Sequence, residues 1–167
     1  MNLIKGINMI FIIIICSYIG IIKAKKFETR VIELNKFQNA LIMFKTKIEF
    51  TYEPIKNIFE EISKTIYLED KNIFKLTIEG EEEINQAWNN SSDKFLDVFE
   101  KEDIDIIKMF GKLLGKTDIE GQVSEILLTQ NLIEKQIEKA EYEKLKNSKL
   151  YKSMGVICGL GICIILV

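Results

Sequence analysis

The charges of this 167-residue chain are sorted by position. All 25 acidic residues and 22 of the 23 basic ones lie between Lys23 and Lys152, and the two flanking stretches carry only Lys5. The ends lack the polar side chains that a water-facing surface requires, whereas the middle is dense enough in charge for a solvated domain. A length of about 150 residues suits one domain. Here the sorting divides the chain into residues 1–22, a first apolar helix, residues 23–152, a charged domain, and residues 153–167, a second apolar helix.

The first apolar stretch, Gly6 to Ile22, carries no charge. As a helix it covers ~26 Å, or ~30 Å if Leu3 and Ile4 join it and Lys5 snorkels, which matches the hydrocarbon core of a bilayer. A cleaved signal peptide would want a basic leader and a small-residue cleavage site. One lysine precedes the stretch and Ile21-Ile22-Lys23-Ala24-Lys25 closes it, so an uncleaved transmembrane helix is expected. The last stretch, Ser153 to Val167, is uncharged too and slightly shorter. It reaches ~27 Å once Leu150 and Tyr151 are counted and Lys152 snorkels, and it too is read as a span. Lys23, Lys25, Lys26 and Arg30 follow the first span, and Lys144, Lys146, Lys149 and Lys152 precede the second. The positive-inside rule therefore places residues 23–152 in the cytoplasm from both ends independently.

Within the middle, Phe27, Val31, Leu34, Phe37, Leu41, Phe44 and Ile48 recur at steps of three and four, one face of a helix over residues 23–52. Pro54, the only proline, disfavours helix at Glu53 and suits the first position of the next helix. Ile55, Ile58, Phe59, Ile62 and Ile66 mark that helix, and Asp70 to Thr77 carries a weaker one. Glu81-Glu82-Glu83 suits the positive end of a helix bearing Ala87 and Trp88. Asn89-Asn90-Ser91-Ser92 carries a loop signal. A helix follows from Glu100 to Leu114, with Ile104, Ile107, Phe110 and Leu114 on one face. Thr117-Asp118-Ile119-Glu120 then supplies a capping box for a helix that runs to Lys152 without a strong breaker. Nothing alternates with period two between hairpin turns. The expected fold is all-α, a cytoplasmic helical bundle flanked by transmembrane helices, its long first and last helices side by side.

Chemistry is scarce in this pattern. The chain has no histidine, which excludes His-dependent triads, HExxH zinc sites and proximal-His haem. Cys16, Cys158 and Cys163 all lie in the apolar ends, so the middle has no thiol nucleophile and no disulfide. A net charge of −2 gives no nucleic-acid footprint. Gly111-Lys112-Leu113-Leu114-Gly115-Lys116-Thr117 imitates a nucleotide-binding loop. That loop needs four residues between its glycines to wrap phosphate, and it follows a strand; here there are three, after a helical pattern. Gly115 is read instead as the left-handed residue closing a helix. Glu79, Glu81, Glu82 and Glu83 lack the alternating ligand spacing of a calcium loop. Trp88 beside Ala87 reads as core rather than as an anchor for a partner. Gly155-Val156-Ile157-Cys158-Gly159 is a G-x-x-x-G, a spacing that lets membrane helices approach, though glycine is frequent in such helices in any case. No catalytic residue, cofactor or metal is expected.

The block Phe110-Gly111-Lys112-Leu113-Leu114-Gly115-Lys116-Thr117-Asp118, with Gln122 and a glycine-bearing C-terminal span, resembles the stage III sporulation protein AB family. The Ala87-Trp88 pair, Pro54 after a long first helix and the terminal spans fit as well, so the resemblance covers essentially the whole chain. From Phe50 to Glu79 only helical pattern is recognisable. The resemblance marks Trp88, Gly111, Gly115, Thr117, Asp118, Gln122, Gly155 and Gly159 as structural or interaction residues. It implies a non-enzymatic subunit of the assembly linking mother cell and forespore, similar to the F-type platform proteins of type II secretion. It also implies docking onto a cytoplasmic secretion-type ATPase and other membrane subunits; no nucleic-acid partner is expected, and self-association into a homo-oligomer stays open. The other class open to such a chain is an accessory or regulatory subunit of an unrelated membrane transporter.

Overall fold

The computed structural model describes residues 2–51, 53–67, 72–95 and 97–166, and among these there are helices and no strands. Helix α1 spans Asn2–Phe50, α2 Ile55–Thr65, α3 Ile73–Ile78, α4 Ile84–Ser92, α5 Lys101–Leu113 and α6 Ile119–Leu166, with one 3-10 turn at Asp93–Phe95. By packing, the chain divides into two compact units, Met1–Val31 with Glu138–Val167, and Ile32–Ile137. The side chains of Leu3, Ile4, Lys5 and Leu113, and the residues Asp70 and Lys71, lie outside the described set, as does Val167.

In the unit Ile32–Ile137 the apolar face expected of α1 is buried: Leu34, Phe37, Leu41, Phe44 and Ile48 are all at most 5% exposed. Helix α1 stops where Thr51 turns its hydroxyl onto the Lys47 carbonyl, 2.7 Å away, just before Pro54. Pro54 is the residue that caps α2 rather than its first helical residue, since its backbone is still extended at ψ 139°. Its carbonyl accepts from Asn57 and Ile58 N–H. Helix α3 opens on Asn72, whose Oδ1 accepts the Lys75 N–H at 2.9 Å.

Two further expectations fail locally. Asn89–Ser92 is the end of α4 and not a loop. Ser91 and Ser92 are buried, and the Ser92 hydroxyl donates to the Trp88 carbonyl four residues back at 2.8 Å. A serine that satisfies itself on its own helix removes the cost of burying its hydroxyl, so the loop propensity of the tetrad is overruled. The capping box expected at Thr117 is replaced by a single cap one residue on. Helix α6 begins at Ile119 and Asp118 caps it, Oδ1 accepting the Gly121 N–H at 2.9 Å. The reciprocal box belongs to α5, where the Glu100 side chain accepts from the third helical residue and the Asp103 carboxylate accepts the Glu100 N–H at 2.9 Å.

In the other unit α1 and α6 run antiparallel. Residues near Met9 meet Cys163 and residues near Gly20 meet Gly155. Both helices contain segments long and apolar enough to cross a membrane. Their outward faces are apolar too: Ile7, Phe11, Ile14 and Tyr18 are each more than half exposed, as are Ile157, Ile164 and Ile165. A helix of a soluble core would bury such residues, so the pair fits a two-pass membrane protein.

Candidate functional site

Each short helix of the bundle contributes an aromatic ring to one cluster. Phe37 and Phe44 come from α1, Phe59 from α2, Phe74 from α3, Trp88 from α4 and Phe110 from α5. The Trp88 ring lies 5.4 Å from Phe59, 5.3 Å from Phe74 and 5.3 Å from Phe110, mostly tilted or edge-on. Such geometry sets ring edges against ring faces and adds to the burial of the rings. Trp88 is fully buried.

Gly111 explains how the tryptophan is held. A Cβ placed on Gly111 would sit 2.0 Å from Trp88 Cδ1 and 2.8 Å from Nε1, inside the indole. The absent side chain exposes the turn of α5 beneath it, and the indole N–H donates to the Ile107 carbonyl at 2.7 Å. Ile107 is four residues before Gly111, so this carbonyl also serves the helix ladder. Trp88 and Gly111 are thus one device, a ring seated on bare helix backbone. A pairing of Trp with Gly from two separate helices is invisible to periodicity, because it depends on which helices become neighbours.

Gly115 lies just after α5 at φ +73°, a left-handed backbone that glycine adopts without strain. A Cβ there would meet only Ile55 and Ile84, at 3.6 and 3.9 Å, so the conformation rather than crowding calls for glycine. Lys112, Lys116 and Thr117 are exposed, and the segment is a helix end followed by a turn, with no strand before it. Thr117, Asp118 and Gln122 come together at the start of α6. Besides the Asp118 cap, Gln122 Nε2 donates to the Thr117 carbonyl at 2.9 Å. Gln122 Oε1 is buried and finds no partner among the described residues, and the side chain lines a cavity of about 10 Å³ with Phe44, Phe110 and Ile126. Among the described residues no group of three acidic or cysteine side chains is placed to hold a metal. Of the acidic run, Glu82 accepts from Asn90 Nδ2 at 2.7 Å.

Gly155 and Gly159 lie in the other unit, away from these residues in sequence, and pack on α1. A Cβ on Gly155 would be 2.7 Å from the Cys16 carbonyl oxygen and 3.2 Å from Gly20 Cα, and one on Gly159 3.0 Å from Ile13 Cα. Gly20 is the reciprocal residue, its own Cβ position lying 2.5 Å from the Tyr151 carbonyl. The seam continues to Cys163, whose Sγ is 3.4 Å from the Met9 carbonyl. Beyond the glycines, Phe27 stacks on Tyr151 at 5.7 Å, Lys152 pairs with Glu28 at 3.4 Å, and Arg30 Nη1 pairs with Glu143 Oε2 at 2.6 Å.

Sequence pattern does not single out Gly20, and it offers Arg30 only as a flanking cation. Arg30 is 3% exposed, and a buried cation needs a hydrogen-bonded counter-charge. A signal is there: it is the one arginine among 23 basic residues, and a planar guanidinium suits a buried carboxylate better than a lysine does. Tyr67 is a further buried polar group. Burial, and next the Glu33 carboxylate, push its phenol well above the usual range, and Lys36 Nζ lies 5.8 Å from its ring centre.

Comparison with known proteins agrees across the chain. The family model of stage III sporulation protein AB matches residues 5–167. Stage III sporulation protein AB of Bacillus subtilis (strain 168) is 25% identical over 170 residues, covering 98% of this chain and 99% of that protein. A solved structure of stage III sporulation protein AB is similar in fold, with a TM-score of 0.63 at 22% identity, covering 71% of this chain and 98% of the solved one. The chain belongs to the stage III sporulation protein AB family, a family of sporulation proteins.

Proposed function

We propose that this protein is a non-enzymatic, membrane-anchored platform subunit of the transport complex between mother cell and forespore. Residues 1–22 and 153–167 anchor it, and residues 23–152 form the cytoplasmic part that docks a secretion-type ATPase and other membrane subunits. The observation that carries this reading is the lysine sorting at both spans: cations follow the first and precede the second, so one membrane face receives both ends of the charged domain. The bundle's interior is filled by aromatic rings from five helices, which suits a rigid body that positions partners.

The outer face of α1 supports a docking role. Between Ile32 and Thr46 its exposed residues are Ile32, Asn35, Asn39, Ile42 and Thr46, spaced three and four apart and without a charge. Ile32 and Ile42 are each at least half exposed. An uncharged stripe along one exposed helix face is the kind of surface that an interface core is made from.

Two measurements test the reading. A reporter active only outside the cytoplasm should be active when fused after Val167 and silent when inserted between Glu81 and Glu82, both exposed. The reverse pattern would put the domain out of the ATPase's reach and refute the platform. Ile42→Glu should leave unfolding unchanged while lowering capture of the ATPase from sporulating cells by tenfold or more. Capture equal to that of the unaltered chain removes α1 as the docking face.

A further inference from the structure

Beside the glycine seam the span pair leaves a hollow of about 350 Å³, lined by Ile19, Gly20, Lys23, Tyr151, Met154 and Cys158 among others. The hollow follows from the seam. Gly20 and Gly155 line it and bring no side chain to fill it. Its walls are apolar except at one end, where Lys23 and Tyr151 stand. Its long axis is set by Cys16 at one end and Lys23 at the other, a rise of ~10 Å along α1.

The charges at the rim are unequal. Lys152 is paired with Glu28 at 3.4 Å, and the Tyr151 ring is held against Phe27 at 5.7 Å. Lys23 is exposed and makes no ion pair among the described residues. A hollow that opens toward hydrocarbon is filled by whatever the membrane offers. The spans of a second copy carry no charge from Gly6 to Ile22 or after Lys152, so they bring Lys23 no counter-charge within the membrane. A free anion would leave the apolar walls uncovered. An acyl chain fits the walls, and a negative headgroup on the same molecule meets Lys23, with the Tyr151 hydroxyl as a neutral donor beside it.

We propose that this hollow is a binding site for one anionic phospholipid, its chain along Ile19, Met154 and Cys158 and its phosphate at Lys23. The inference rests on the two helices lying in a bilayer and is independent of what the domain docks.

The test is native mass spectrometry of the full chain released from nanodiscs holding equal amounts of phosphatidylglycerol and phosphatidylcholine. The expected result is a single retained phosphatidylglycerol, favoured over phosphatidylcholine by about fivefold, the worth of one lysine at the interface. Lys23→Gln should bring the ratio to about one, and Lys23→Arg should restore it. Cys158→Phe should fill the hollow and remove the adduct; Met154→Phe serves if that variant does not fold. Equal retention of the two lipids by the unaltered chain overturns the proposal. So does a preference that survives Lys23→Gln, or an adduct that survives the filled hollow. Displacement of the lipid by millimolar inorganic phosphate would assign Lys23 to a free anion and overturn it as well.

Discussion

Between the apolar stretches 7–22 and 153–165 two helices touch through glycine and backbone, whereas between Ile32 and Ile137 large aromatic rings fill the space among the helices. The difference follows the solvent. Apolar side chains gain nothing by leaving lipid for one another, so membrane helices associate through close contact at small residues and through a few polar pairs. In water each buried ring removes roughly 150–250 Å² from the solvent, and large rings are what a small bundle needs for a core. Glycine serves both units by opposite means. Gly155 makes room for a backbone, Gly111 for an indole.

The sharpest way to break the comparison is Gly111→Ala. One methyl group must displace the Trp88 ring and with it the hydrogen bond to Ile107, a loss of about 3 kcal/mol or more. Trp88 is the only tryptophan, so its fluorescence during denaturant unfolding of the detergent-solubilised chain reads the effect directly. A loss below about 1 kcal/mol, no more than one ordinary hydrogen bond, would mean that the ring is not seated on Gly111. Gly155→Ile comes next, because the atoms it meets are backbone and cannot swing aside. It should lower disulfide formation between Met9→Cys and the native Cys163 several-fold while leaving the Trp88 transition in place. A shift of that transition as large as that of Gly111→Ala would show that the two units do not pack by separate means.

Smaller effects sharpen the picture of the bundle. Gly115→Ala should cost about 1 kcal/mol, the penalty of a side chain at positive φ, whereas Lys116→Ala beside it should cost nothing measurable. If Lys116→Ala instead abolished sporulation with folding intact, a nucleotide at this turn would return to consideration. The smallest effect is a pH slope. The phenol of Tyr67 is held protonated in the folded state above its unfolded pKa of about 10. The stability linked to it is complete below pH 10 and is lost as pH rises beyond that. Tyr67→Phe should flatten the fall in stability above pH 10 and leave it unchanged at pH 7, as followed by the Trp88 transition.

Much of the architecture is legible from spacing. The α1 stripe from Leu34 to Ile48 is buried where periodicity puts it, because each of those residues answers to its own helix. The misreadings fall where a neighbour decides. Asn89-Asn90-Ser91-Ser92 carries loop chemistry, yet Ser92 lies in a core where the Trp88 carbonyl satisfies its hydroxyl. Thr117 and Asp118 are both good caps, and geometry chose Asp118. Of the candidate residues, Gly115 is readable as a local turn, while the partner of Gly111 is not, since Trp88 arrives from another helix.

Chain order alone determined that this protein has two apolar ends and a charged helical middle, because charge and hydropathy act on each segment separately. It also carried the family resemblance, whose specific part is the block from Phe110 to Asp118 together with Gln122. The tertiary structure decided which glycines are close to what: Gly111 to an indole, Gly155 to Gly20, and a hollow beside the seam with Lys23 at its end. A missing side chain has no meaning in sequence until something occupies its place, and what occupies it comes from residues far along the chain.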